Sequence, residues 1–216
     1  MTKIIKLIST AAAIALLSIS FSGFSAKFEE GKHYSVVAKN KTLTPELTEY
    51  FSYYCPACRA YEPYLDSFKK VMPEQAKLNK VHVDFMGQTS PEIQFMLAKA
   101  LIVAEKMGID KQFNAEVFNY IQTKREIVSS EADVRKMFIA AGGDGAKFDK
   151  GMKSFSLVSK AKRNKKVQDK LSQGRYVKSV PTFVVNGKYV INSKELDPKN
   201  FLEEYKNIIA HLLTLK

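Results

Sequence analysis

Residues 51–58, Phe51-Ser52-Tyr53-Tyr54-Cys55-Pro56-Ala57-Cys58, constrain this chain more than any other stretch. Aromatic residues lead into a Cys-X-X-Cys pair, and Arg59-Ala60-Tyr61-Glu62-Pro63-Tyr64-Leu65 follows it. The pattern predicts a buried strand running straight into a helix, with Cys55 at the turn. Pro56 falls in the first helical turn, where its missing N–H costs nothing. Cys55 then lies against the unpaired N–H groups and the positive end of the helix dipole, which favour thiolate over thiol. Cys58 is one turn further in, on the same face and within reach of disulfide closure. The stretch reads as a redox switch, not as a structural staple.

Cys55 and Cys58 are the only cysteines in the chain, and His33, His82 and His211 the only histidines. A structural zinc site usually takes four ligands, and none of these histidines stands at ligand spacing from the cysteine pair, so no metal is expected. A disulfide closing so short a loop restrains the unfolded chain little, which argues against an inert staple. Cys-X-X-Cys beside a βαβ pattern points instead to thiol–disulfide chemistry.

Residues 1–25 carry Lys3 and Lys6, an apolar run from Leu7 to Phe24 broken by Ser and Thr, and small residues at Gly23 and Ser25. This is the build of a signal peptide, with cleavage expected after Ser25 and export to an oxidising compartment. A retained membrane anchor is the other reading; the Ser and Thr content and the small-residue exit favour the signal. Removing Lys3 and Lys6 takes two charges from a net +12. The remaining basic excess raises the question of nucleic acid, but the lysines are dispersed. The one dense run is Lys160, Lys162, Arg163, Lys165, Lys166 and Lys170. With Val158, Ala161, Val167 and Leu171 as its narrow apolar stripe, it reads as a solvated helix face. No nucleic-acid partner is expected.

The mature length, about 190 residues, fits one domain or a domain with an insertion. Strands are expected at Tyr34–Val37, Leu47–Tyr54 and Val81–Phe85, with a helix between the last two that stops before Pro73. Strand–helix–strand at this spacing is a right-handed parallel βαβ unit. From Pro91 to Gly174 the period turns helical. Ile93, Leu97, Leu101 and Ala104 share one face up to Gly108. Phe113, Val117 and Ile121 form a second helix, opened by Asp110. Ser130 and Asp133 cap a third, Phe148, Met152 and Phe155 mark a fourth, and the basic helix follows. Val180–Val185 and Lys188–Ile191 flank Asn186-Gly187, a strong hairpin signal. Pro198 opens a last helix through Phe201, Tyr205, Ile208 and Leu212.

Three motifs in this order resemble the DsbA family, periplasmic protein-disulfide oxidases with a thioredoxin fold and an inserted helical domain. They are Glu49 through Cys58, Val81-His82-Val83-Asp84-Phe85-Met86-Gly87, and Val180-Pro181 followed by Phe183 through Tyr189. The start, Phe28 through Tyr34, also matches, so the resemblance covers the mature chain. It implies an α/β fold with a thioredoxin-like domain of residues 26–90 and 175–216 and an all-helical insert of residues 91–174.

The resemblance also implies roles. Cys55 is the exposed nucleophile, Cys58 its buried partner, and Pro56 and Ala57 form the active-site loop between them. Pro181 matches the family's cis-proline facing the cysteines, which leaves the backbone of Val180 free to pair with an extended client. Glu49 and Lys80, which opens its strand, form a charged pair beneath the site that accepts or relays the Cys58 proton. Solvent-exposed charges at strand ends are the plainer alternative for that pair, and an edge-strand proline the plainer one for Pro181. Tyr53, Tyr54, Phe183 and Met86 read as core rather than groove, although some exposed apolar surface is expected near Cys55. Where the family's best-known member has His, this chain has Ala57, so the expected oxidant is a milder one.

The reaction implied is the introduction of disulfides into reduced or unfolded exported proteins by a periplasmic monomer. It needs no bound cofactor, and a DsbB-like membrane quinone oxidoreductase would reoxidise the enzyme. A disulfide reductase or isomerase is the rival within this chemistry, though the chain has no spare length for a dimerisation segment. A peptide-binding chaperone of the same fold is the rival outside it, and would act without Cys55. A glutathione-dependent small-molecule enzyme fits poorly with the intact cysteine pair and the signal peptide.

Overall fold

The computed structural model describes residues 28–215, so the expected signal peptide and its cleavage point lie outside the described residues. Strand β2 (Glu46–Phe51) is an interior strand of the sheet, one in from its edge. It pairs in parallel with β3 (Lys77–His82) and antiparallel with β4 (Thr182–Val185). Beyond β4 lie β5 (Tyr189–Ile191) and β1 (Tyr34–Val36), giving the order β1-β5-β4-β2-β3. Helix α1 (Pro56–Lys70) makes the crossover between β2 and β3. The β4–β5 connection is the tight turn expected at Asn186-Gly187, with φ of 53° and 62°, the left-handed pair that a two-residue hairpin requires.

Strand alternation sorts the two faces. Leu47, Phe183, Val185, Tyr189 and Ile191 join Leu65 and Phe68 of α1 and Tyr205, Ile208, Ile209 and Leu212 of the last helix, α7 (Phe201–Thr214), in one core. On the opposite face Tyr50, Val81, Val184 and Val190 pack with Leu171 and Val177.

Five helices stand between β3 and β4: α2 (Pro91–Met107), α3 (Asp110–Phe118), α4 (Glu131–Ala140), α5 (Gly145–Met152) and α6 (Phe155–Gln173). Gly108 ends α2 in the left-handed conformation at φ 69°. The Ser130–Asp133 pair closes a complete capping box on α4. The third core, built on Leu97, Leu101, Phe113, Val117, Phe138 and Phe148, also takes in Phe51, Tyr53, Cys55 and Cys58. The helices therefore meet the sheet at the cysteines.

Several boundaries differ from the sequence reading. Strand β2 ends at Phe51, not Tyr54, because residues 52–55 are spent on a turn. In it the Cys55 N–H donates to the Ser52 carbonyl (3.1 Å) and the Tyr54 N–H to Ser52 Oγ (3.1 Å). Strand β3 lies four residues earlier than expected at its start. Its mostly polar first four residues, Lys77-Leu78-Asn79-Lys80, hide the strand signal because β3 lies along the sheet's edge. Phe155 belongs to α6 rather than to the helix before it, and is 88% exposed. The last helix starts at Phe201, since Asp197 first makes a turn with Lys199 and Asn200. The second insert helix is α-helical only to Phe118 and continues as a π-helical turn, Asn119–Thr123.

Candidate active site

Cys55 is the N-cap of α1, with φ −100° and ψ 112°, and Pro56 takes the first helical position. The Cys58 N–H donates to Cys55 Sγ (3.2 Å), so the sulfur occupies the place that a capping oxygen usually fills. Thiol and amide hydrogen bonds from Cys58, with a further one from the Ala57 N–H, outweigh burial and lower the Cys55 thiol from its usual value to about 7. Burial and the adjacent Cys55 sulfur push Cys58 far the other way. Two thiols of one type are thus driven apart by their places on one helix turn. Both are free thiols in this structure.

Cys55 is less open than expected: only 6% of its surface is exposed, against none for Cys58. Its cover comes from across the fold. The Cys55 thiol donates to the Val180 carbonyl at 3.3 Å, and the Val180-Pro181 bond next to it is cis. Pro56 and Ala57 are exposed beside it.

Beneath the cysteines, alternation along β2 turns Glu49 toward α1, and register sets Lys80 opposite it. Lys80 lies inside β3 rather than opening it, and neither residue is a solvent-exposed charge at a strand end. Lys80 Nζ donates to Glu49 Oε2, and also to Glu62 Oε1 of α1 at 2.5 Å. It sits 4.1 Å over the Phe51 ring as well. Burial raises the Glu49 carboxyl to about 7, a rise that Lys80 only partly offsets. Burial acts to lower Lys80, but its two carboxylate partners prevail and raise it. One ammonium therefore serves two carboxylates, and Glu49 Oε1 has no hydrogen-bond partner.

The description of residues 46–206 by the family model of the DSBA-like thioredoxin domain covers most of this arrangement, from β2 into α7. The chain belongs to that family. Among its relatives, thiol:disulfide interchange protein DsbA of Salmonella typhimurium is 33% identical over 94% of this chain and 97% of its own. DsbA of Dickeya dadantii is 32% identical over the same shares. Among solved structures, Proteus mirabilis DsbA with a non-covalently bound peptide is 28% identical, with a TM-score of 0.76 over 88% of this chain and all of that one. This DsbA-family chain is a protein thiol:disulfide oxidoreductase with the α/β, thioredoxin-like fold expected of it.

Three residues that contact this site escaped the sequence reading. Glu62 completes the charged cluster; its position one helical turn after Cys58 was the available signal. His82 is buried, and its Nε2 accepts from the Tyr53 N–H (3.1 Å) while its ring stacks on Tyr53. Burial lowers it to about 3, so it is neutral and anchors the turn before Cys55. Gln122 reaches the same turn from the helices. Of the four apolar candidates, Tyr53 and Phe183 are core. Tyr54 and Met86 are partly exposed, and Met86 and Val180 both pack against the core of Tyr50, Val81 and Val184. Gln94 fixes that edge by bonding both the N–H and the carbonyl of Met86.

Proposed function

We propose that this oxidoreductase is an exported, monomeric dithiol oxidase of the periplasm, with Cys55 as the sulfur that exchanges with clients and Cys58 as the leaving group when a client attacks it. The observation that carries the reading is the opposed tuning of two sulfurs on one helix turn. In the disulfide form, a client thiolate attacks Cys55 Sγ; the Cys55–Cys58 bond breaks and Cys58 takes the electron pair. A second client thiolate then attacks the client sulfur of the mixed disulfide and expels Cys55 as thiolate. The client loses two electrons and the cysteine pair gains them. A DsbB-like quinone oxidoreductase in the membrane accepts them in turn.

Cys58 is basic as a thiolate and draws a proton when it leaves. Glu49, titrating near neutrality below it, is the donor this reading assigns, with Lys80 and Glu62 linking it to a cleft of about 590 Å³ that both residues line. The Val180 backbone beside cis-Pro181 is the edge on which an extended client would lie. Peptide binding by the Proteus mirabilis relative supports this. Residues 91–174 form the inserted unit that walls the site, and residues 26–90 and 175–216 the thioredoxin-like one.

Equilibrating the mature protein with glutathione buffers, while following thiolate absorbance against pH, tests the direction of the chemistry. The expected result is a Cys55 pKa at or below about 7 and a couple more oxidising than glutathione. A strongly reducing couple with a higher pKa would make the protein a reductase.

Glu49→Gln tests the relay. Because burial raises the Glu49 carboxyl from its ordinary 4.5 to about 7, its contribution to stability is complete below the lower value. That contribution is lost as pH rises through the upper one. The variant should flatten the stability profile across this window, by roughly 3–4 kcal/mol. It should also remove the neutral inflection in the rate of mixed-disulfide formation. An unchanged rate profile would end the relay role.

A further inference from the structure

Gln122 lies on the π-helical turn Asn119–Thr123, between α3 and α4. That turn is closed by the Lys124 N–H donating to the Asn119 carbonyl five residues back (2.9 Å). A π turn adds a residue to the helical circuit and so changes which side chains face a given neighbour. Here the partly buried Gln122 faces the turn that carries Cys55. Its Nε2 donates to the Tyr53 carbonyl (2.7 Å) and to the Cys55 carbonyl (3.1 Å), one N–H for each. A carboxamide supplies both donors in one plane. From the same helical block, Asn114 Oδ1 accepts the Tyr53 hydroxyl.

The Cys55 carbonyl is part of the peptide plane that joins Cys55 to Pro56. Fixing that plane fixes ψ of Cys55, and hence where Sγ stands relative to the Cys58 N–H that stabilises its thiolate. The same carbonyl accepts the first helical hydrogen bond, from the Arg59 N–H (3.3 Å). During turnover the sulfur changes state twice, from Cys58 Sγ as partner to client sulfur to free thiolate. The free thiolate is the state that the Cys58 and Ala57 N–H groups stabilise.

We propose that Gln122 is a positioning residue of the thiol centre: through two carbonyls it holds Cys55 in the cap geometry and so favours the dithiol over the disulfide. The helical insert then sets the redox poise of a cysteine pair that lies on the thioredoxin-like helix. The direction of the effect rests on the oxidase reading above. A reducing parent couple would defeat that reading, while the difference between parent and variant would still report on Gln122.

The test compares parent, Gln122→Ala and Gln122→Glu by thiolate absorbance against pH, by equilibrium with glutathione, and by thermal unfolding of the oxidised and reduced forms. Losing one positioning hydrogen-bond group should raise the Cys55 pKa by roughly half to one unit. It should shift the glutathione equilibrium roughly three- to tenfold toward the disulfide, about 15–30 mV. The reduced form should lose more stability than the oxidised one. Glu at 122 keeps the side-chain length but turns an acceptor toward two carbonyl oxygens, so its pKa rise should exceed that of Ala. It also answers the question if the Ala variant does not fold. Equal destabilisation of both redox forms, with thiolate pKa and equilibrium unchanged, would reduce Gln122 to a structural tie and overturn the proposal.

Discussion

Cys58→Ser should trap this enzyme on its clients, whereas Cys55→Ser should abolish exchange altogether. The two cysteines are three residues apart, yet only Cys55 has a sulfur any client can approach, and Cys58 has no exposed surface. Without Cys55 there is no sulfur at the helix N-cap to form the mixed disulfide. Turnover should fall on the order of 10³-fold or more, as for removal of other covalent nucleophiles. Without Cys58 the Cys55 thiolate remains, held by the backbone N–H of residue 58, which a serine retains. It should still exchange with an activated client disulfide, but nothing within the enzyme can then reclose on Cys55 and release the client. Incubating each variant with a client mixed disulfide, then separating products under non-reducing conditions, distinguishes them. A stable covalent complex is expected for Cys58→Ser and none for Cys55→Ser. The reverse pattern would exchange the roles assigned here.

Ala57→His should make the couple more oxidising. Residue 57 is exposed in the first turn of α1, and its N–H already contributes to the lowered Cys55 thiol. An imidazole there would hydrogen-bond the thiolate or, when protonated, place a positive charge beside it. Either favours thiolate over thiol without crowding the core. A fall of roughly one to two pKa units is expected, which lowers the free energy of the reduced form and raises the potential by about 30 mV for each unit. The gain should shrink at high salt, since the added charge is solvated. Thiolate titration and glutathione equilibrium measure both quantities. An unchanged pKa would mean that the helix N-terminus alone sets Cys55, and that position 57 is chemically silent.

The parts of this protein that follow from neighbouring residues were legible before any coordinates. Pro56 at the first helical position, Gly108 closing α2, the Ser130–Asp133 capping box and the Asn186-Gly187 hairpin each depend on backbone preferences spanning a few residues. The family likeness of three ordered motifs added the overall fold, and it brought Glu49, Lys80, Val180 and Pro181 into view. Where the local signal was weak, boundaries slipped: Lys77-Leu78-Asn79 carry too little apolar alternation to read as strand, so β3 was expected to begin only near Lys80.

The electrical state of the site came from elsewhere. Val180 covers Cys55 from 125 positions away, Gln122 grips the Cys55 carbonyl from 67, and Lys80 meets Glu49 from 31. Burial raises Glu49 and lowers His82, and burial is a property of the whole packed chain. The preference for a helix start after Cys55 is carried by its near neighbours, so the cap position could be read from eight letters. Desolvation and distant hydrogen-bond partners exist only once the sheet and the helices have closed around it, and these decide how acidic its sulfur is.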